Sequence, residues 1–218
     1  METNMGTLIL LRHTESEWNA KGVWSGITDV ELSDKGKADR AVVAKSLDEL
    51  GIRIDVAVYT DQKRTKETLD GMCAAEVLAH VETVLVPGFN ERNYGEYTGM
   101  DKWKVKEELG EEQFNAIRRG WDVPFPNGET LKEVYERVVP AYQTHVLPRL
   151  QRGENVLIVA HGNSLRALMK YLDSIPDSEI AKLEMLMNQM VVYQVDQASG
   201  LKINKEVVDT GVAIESHF

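Results

Sequence analysis

Cysteine is nearly absent: Cys73 stands alone in 218 residues, and one thiol can form neither an intramolecular disulfide nor a multi-cysteine metal site. A reducing compartment is the expectation. Long apolar runs are missing too, since the longest, Val156–Ala160, falls far short of the ~20 residues of a membrane helix. Residues 1–6 carry neither the basic nor the apolar region of a signal peptide. A soluble cytoplasmic protein with no membrane partner is therefore expected. Positive charge is in deficit, 25 Lys and Arg against 35 Asp and Glu for a formal charge of −10, which excludes nucleic-acid binding driven by bulk charge. With no internal repeat, low-complexity tract or long linker, one domain over residues 1–218 is expected.

What the chain does contain is short apolar runs that end on chemistry. Residues 8–11 stop at Arg12 and His13, and residues 156–160 stop at His161 and Gly162. Both read as buried strands. Residues 55–59, 83–86 and 190–195 add three β-rich stretches, and the period between them is helical. From the N-cap Ser33, Ala38, Ala41, Val42 and Leu50 recur up to a stop at Gly51. A helix from Asp61 carries Leu69, Met72 and Val77 inward. Another, from near Gly128, stacks Leu131, Val134, Tyr135, Val138 and Tyr142, with Leu147 and Leu150 beyond and a kink expected at Pro140. This alternation predicts an α/β fold, a mostly parallel central sheet covered by helices on both faces in three layers. Residues 87–129 mix Trp103 and Trp121 with Arg92, Lys102, Arg118 and Arg119 and read as a small inserted cap.

Ligands of such sheets bind beyond the carboxyl ends of the strands, where Arg12, His13, His161 and Gly162 fall. The segment Leu11-Arg12-His13-Thr14-Glu15-Ser16-Glu17-Trp18-Asn19 gathers a guanidinium, an imidazole, a hydroxyl and an amide. His161-Gly162-Asn163-Ser164 opens a helix carrying Leu165, Leu168 and Met169, and free N–H groups at a helix start attract anions. Thr60-Asp61-Gln62-Lys63-Arg64 follows a third strand and aims Arg64 at the same place. Guanidinium forks suit phosphate. They also disfavour protonation of a neighbouring imidazole. His80, His145 and His217 show no metal-ligand spacing with acids and read as structural or solvent-facing. Met185, Met187 and Met190 read as core filling.

Together with Trp24-Ser25-Gly26, Leu32-Ser33, Glu91-Arg92-Asn93-Tyr94-Gly95, Arg118-Arg119 and the stretch from Ala160 to Arg166, these motifs resemble the histidine phosphatase superfamily. Within it, their order and spacing from Thr7 to Tyr193 resemble the cofactor-dependent phosphoglycerate mutases. The resemblance implies that His13 becomes phosphohistidine, that Arg12, Arg64 and His161 surround the transferring group, and that Glu91 is the general acid and base. It implies that Arg92, Tyr94, Lys102, Arg118 and Arg119 hold the substrate's carboxylate and second phosphate, with Ser16, Asn19, Ser25, Gly26, Gly162 and Asn163 as the remaining contacts. Interconversion of 3-phosphoglycerate and 2-phosphoglycerate in glycolysis and gluconeogenesis is implied with them. So are 2,3-bisphosphoglycerate as primer, no metal, and a homodimer or homotetramer.

Departures from that pattern keep other readings open. Thr14 stands where the family has Gly and is expected to crowd the phosphate or to need a backbone angle Thr adopts poorly. Asn93 replaces a His, residues 185–188 replace a Leu-Pro-Thr-Gly type turn, the stretch after Pro126 lacks an insert of the longer mutases, and the tail 207–218 is short. A mutase must enclose its intermediate, whereas a phosphatase admits water. A phosphohistidine-dependent phosphatase of small phosphate monoesters is thus the alternative, and a catalytically silent phospho-ligand binding protein the third reading. Lys102, Arg118 and Arg119 favour the mutase, because a general phosphatase needs no second anion site.

Overall fold

The computed structural model describes residues 5–187 and 189–212. Among them, β1 (Met5–Arg12), β2 (Val56–Tyr59), β3 (Glu82–Leu85), β4 (Val156–Ala160), β5 (Gln189–Asp196) and β6 (Lys202–Asp209) form one sheet in the order β3-β2-β4-β1-β5-β6. Neighbours from β3 to β1 pair in parallel, and β5 and β6 add an antiparallel edge. The helices are α1 (Glu17–Ala20), α2 (Asp34–Glu49), α3 (Lys63–Ala74), α4 (Lys102–Leu109), α5 (Glu111–Arg119), α6 (Leu131–His145), α7 (Leu147–Gln151) and α8 (Gly162–Leu172).

The apolar runs of β1 and β4 are continuous because both faces of the sheet are covered. Leu8, Leu10, Val156 and Ile158 pack against Val134, Val138 and Tyr142 of α6, Leu150 of α7 and Leu165 and Leu168 of α8. Ile9, Leu11, Leu157 and Val159 pack against Val43, Ala44 and Leu47 of α2 and Leu69 and Met72 of α3. A mostly parallel, three-layer α/β fold results. Residues between β3 and β4 form a third, smaller cluster, in which Val105 of α4, Phe114 of α5 and Phe125 enclose Trp24. Trp24 stacks on Tyr97 with ring centroids 5.7 Å apart. No helix among the described residues is long and apolar enough to cross a membrane.

One local expectation changes. The helix from the second strand ends at Ala74 instead of carrying Val77, because Glu76 turns to φ +65°, and Val77 packs on the same core from the turn. Helix α6 contains Pro140, as expected, with the proline on its exposed side. Strand β6 had no apolar alternation to announce it: it is an edge strand, exposed along most of its length and carrying Lys202 and Lys205. Asn188 and His217 lie outside the described residues, as do residues 213–218 of the tail.

Candidate active site

Three parallel strand ends bring His13, Arg64 and His161 to one place. His13 leaves β1 with its N–H donating to the carbonyl of Ala160 (3.0 Å), so its backbone stays tied to β4 one residue past the strand. Its Nδ1 lies 2.6 Å from the carbonyl of Thr14. A carbonyl only accepts, so Nδ1 carries the proton and Nε2 keeps its lone pair. Arg64, in the first turn of α3, donates from Nε to Nδ1 of His161 (3.2 Å) and from its two terminal nitrogens to the carbonyls of Thr28 (2.9 Å) and Gly26 (2.8 Å). His161 therefore carries its proton on Nε2, which donates to Thr60 Oγ1 at 3.0 Å. The two imidazoles meet edge to face at 5.1 Å. Burial, then the charges of Arg64 and Arg12, hold His13 well below the ordinary imidazole range; burial, then Arg64 and His13, do the same to His161. Both rings are neutral near pH 7.

The loop bearing His13 is pinned from below by α2. Ser33 Oγ donates to the Glu15 carboxylate (2.6 Å), and Gly36 lies so close to the carbonyl of Glu15 that a Cβ would sit 1.9 Å from it. Asn19 accepts at its side-chain oxygen from the N–H and hydroxyl of Ser16 (3.2 and 2.8 Å), which turns its amide nitrogen away from that cap. Glu91 Oε1 accepts from the N–H groups of Arg92 (2.7 Å) and Asn163 (3.2 Å). Its second oxygen has no partner among the described residues. Asn163 in turn donates to the Tyr94 hydroxyl (2.9 Å). Arg12 donates from one terminal nitrogen to the carbonyl of Met185 (2.9 Å), while its buried Nε and the buried hydroxyl of Ser25 have no partner among the described residues. Orphaned buried donors call for an acceptor.

Facing these groups across the pocket are Lys102 at the start of α4 and Arg118 and Arg119 at the end of α5. Lys102 and Arg118 form no hydrogen bond or ion pair with other described side chains, and Arg118 stacks over Phe114 at 5.7 Å. Burial, then Arg118 and Arg12, push the Lys102 ammonium down to about 8. Arg119 is ion-paired with Glu184. Among the described residues the pocket is lined by Arg12, Arg64, Lys102, Arg118, Arg119 and Arg166 against two carboxylates, Glu91 and Glu184. Local cation density outweighs the protein's net negative charge at this range.

Of the residues singled out from the sequence, Arg12, His13, Asn19, Ser25, Gly26, Arg64, Glu91, Tyr94, Lys102, Arg118, Arg119, Gly162 and Asn163 line this pocket. Arg92, Ser16 and His161 do not. Arg92 spends all three guanidinium nitrogens on the carbonyls of Glu129, Ile117 and Val123 (2.6–3.1 Å), with its charge over Phe125, so it ties α5 and the turn before α6 together instead of reaching a ligand. Ser16 caps α1. His161 is enclosed behind His13, with both ring nitrogens engaged. Thr14 neither crowds the pocket nor takes a positive φ: its N–H and hydroxyl turn to Thr68 Oγ1 (3.2 and 3.3 Å), which itself donates to the carbonyl of Arg64.

The sequence motifs include Thr60, Gln62 and Arg166 without assigning them a role, and Glu184 falls outside them. Gln62 links the carbonyl of Gly26 (3.0 Å) to the N–H of Glu91 (2.9 Å), and Thr60 holds His161. Arg166 donates to the Asn163 side chain and to the carbonyls of Leu183, Ile180 and Arg119. Their position directly after a strand marks Thr60 and Gln62, and nothing local marks Glu184. Among the described residues no group of three or more His, Cys, Asp or Glu side chains is arranged to hold a metal ion.

A sequence profile of the histidine phosphatase superfamily (branch 1) matches residues 8–207. A 2,3-bisphosphoglycerate-dependent phosphoglycerate mutase of Rhizobium meliloti is 37% identical over 203 residues, 93% of this chain and 96% of the relative. One of the same name from Bartonella henselae is 37% identical over 187 residues, 86% of this chain and 91% of the relative. The α-ribazole phosphatase of Shigella flexneri superposes with a TM-score of 0.77 at 19% identity, covering 96% of this chain and 99% of that one. A mycobacterial glucosyl-3-phosphoglycerate phosphatase gives 0.73 at 20%, covering 86% and 92%. These structural likenesses speak to the fold.

Proposed function

Because the chain belongs to the histidine phosphatase superfamily, we propose that it is a 2,3-bisphosphoglycerate-dependent phosphoglycerate mutase interconverting 3-phosphoglycerate and 2-phosphoglycerate through phosphohistidine at His13. The observation that carries this reading is the second cationic wall, Lys102, Arg118 and Arg119, in the same pocket as His13. A plain monoester would leave Lys102 and Arg118 unanswered. The substrate is thus a small acid carrying a phosphate and a second anion, met in the cytoplasm, with no nucleic acid or membrane as partner.

In this reading the neutral Nε2 of His13 attacks phosphorus, while Arg12 and Arg64 answer the charge that spreads over the equatorial oxygens. Glu91, held by two backbone N–H groups on one oxygen, uses the other to protonate the leaving alkoxide and later to deprotonate the accepting hydroxyl. His161 acts through Arg64, fixing its fork. Asn19, Ser25 and the N–H of Gly162 complete the phosphate contacts, and Tyr94 holds Asn163 in place. A bisphosphorylated primer fits the orphaned donors Arg12 Nε and Ser25 Oγ at one end and Lys102 and Arg118 at the other. When bound it supplies the phosphoryl group that His13 carries. Residues 87–129 serve as the cap that keeps water out.

One observation favours hydrolysis as a second activity. The turn 125–129 closes tightly, with Gly128 N–H on the carbonyl of Phe125 (2.9 Å), and passes directly into the Thr130 cap of α6. No inserted element covers the pocket there. An enolase-coupled assay decides between the readings: trace 2,3-bisphosphoglycerate should start or raise turnover. Phosphate release without any response to primer would replace the mutase by a phosphatase, and tight bisphosphate binding with no phosphohistidine would leave a silent binder.

A further inference from the structure

Glu184 is a carboxylate inside a pocket otherwise built for anions, and it comes from a segment that nothing in the phosphoryl-transfer reading requires to be acidic. Its neighbours on both sides are anchored: the carbonyl of Leu183 accepts from Arg166 Nε (2.8 Å) and that of Met185 from Arg12 (2.9 Å). Between these two ties the side chain reaches the guanidinium of Arg119. Arg119 is fixed from its own side, since its carbonyl accepts from Arg166 Nη2 (3.0 Å). One arginine thus sets the spacing of both partners. The pair is not a loose surface contact, although Glu184 remains half-exposed and able to swing out. Its charge also acts on Arg118 and Arg12.

We propose that Glu184 is a specificity-determining residue: it occupies Arg119 as a resident stand-in for the ligand's second anionic group, which must displace it to gain the full cationic wall. The proposal rests on the phosphoglycerate reading above. Ligands with one anionic group meet only Arg12, His13 and Arg64 and leave the pair closed. Those with two compete with Glu184 for Arg119 while Lys102 and Arg118 receive them. Glu184 therefore lowers affinity for doubly anionic ligands, which lets a bound acid leave between turnovers.

The test is calorimetric binding of 3-phosphoglycerate and of inorganic phosphate to the wild-type protein and to Glu184→Gln. The variant should bind 3-phosphoglycerate about fivefold more tightly, the scale of a partly exposed ion pair removed from competition, and inorganic phosphate within about twofold. An unchanged or weaker affinity for 3-phosphoglycerate, or an equal gain for both ligands, would overturn the proposal. If the wild-type protein prefers 3-phosphoglycerate to phosphate and the variant gains nothing, only the role of Glu184 is lost. If neither protein shows that preference, the second-anion site and the mutase reading fall together. A variant that acquires the preference while the wild type lacks it supports the latch directly.

Discussion

On the sheet side, Arg64 in the pocket wall and the buried His161 and Gln62 outside it are each held by two or more hydrogen bonds within the protein, whereas Lys102 and Arg118 on the opposite side hold none with other described side chains. The first wall is preorganised. Donors fixed before a reaction stabilise developing charge without reorganising; Arg64 is fixed by bonds to two carbonyls and a ring nitrogen, and because it lines the pocket the second N–H on each terminal nitrogen is left for a ligand in the proposed reaction. The second wall is left unfinished, its charges desolvated and close to one another. Such an arrangement costs stability until an anion arrives. The contrast separates chemistry, which needs rigidity, from recognition of a second group, which needs unspent charge.

The largest effect should come from the sheet side. His13→Ala is expected to abolish labelling by a phosphodonor and to lower turnover by about six orders of magnitude, the scale of deleting a protease nucleophile. An acid-labile label persisting on that variant would remove His13 from its role. Arg64→Lys keeps a charge but loses the fork that joins His161 to the carbonyls of Gly26 and Thr28. Its kcat should fall by about 10²–10³-fold with little change in KM. A change confined to KM would place Arg64 in the same class as the cap-side cations and erase the contrast.

How far the sequence could have shown this difference depends on the kind of signal each wall carries. Arg12, His13, His161 and Arg64 announce themselves because apolar strand runs stop at them or one turn beyond. Lys102, Arg118 and Arg119 needed a family resemblance, since a basic residue on a helix has no local signature of what it faces. Arg92 shows where that approach fails: its motif marks it as a ligand residue, yet its fork is consumed by three carbonyls brought together only by the tertiary fold. Thr14 fails in the opposite direction, its hydroxyl being absorbed by Thr68 from another helix. Strand β6 was hidden because an exposed edge needs no apolar face.

A smaller effect is expected from the cap side. Arg118→Met and Lys102→Met should each raise KM for 3-phosphoglycerate about tenfold, with kcat changed by no more than a few-fold. Both should also melt higher than the wild type, by the ~1 kcal/mol typical of relieving strained functional groups. Thermal melts with and without ligand, beside steady-state kinetics, check both halves of this expectation. A loss of stability in the ligand-free variants would mean that the cationic wall is satisfied in a way its geometry does not reveal.

The finest test uses pH, because the two walls lose charge in different ranges. Lys102, pushed down to about 8 in the free protein, is charged below that value and loses its proton above it. A bound anion favours the ammonium and lifts its pKa again, so above pH 8 binding must take up a proton. Once the ligand's phosphate is fully ionised, above about pH 7, affinity for 3-phosphoglycerate should therefore be steady up to pH 8 and fall beyond it, by at most about tenfold per pH unit. Arg64, lowered by burial only to about 10, keeps its charge over the same range, so inorganic phosphate should bind equally well at pH 7.5 and 9. Calorimetry at pH 9 in two buffers of different ionisation enthalpy should then register proton uptake with 3-phosphoglycerate and none with phosphate. Lys102→Arg should remove the uptake while retaining the preference for the doubly anionic ligand. Equal uptake with both ligands would assign the titrating group to the sheet side and break the division between the walls.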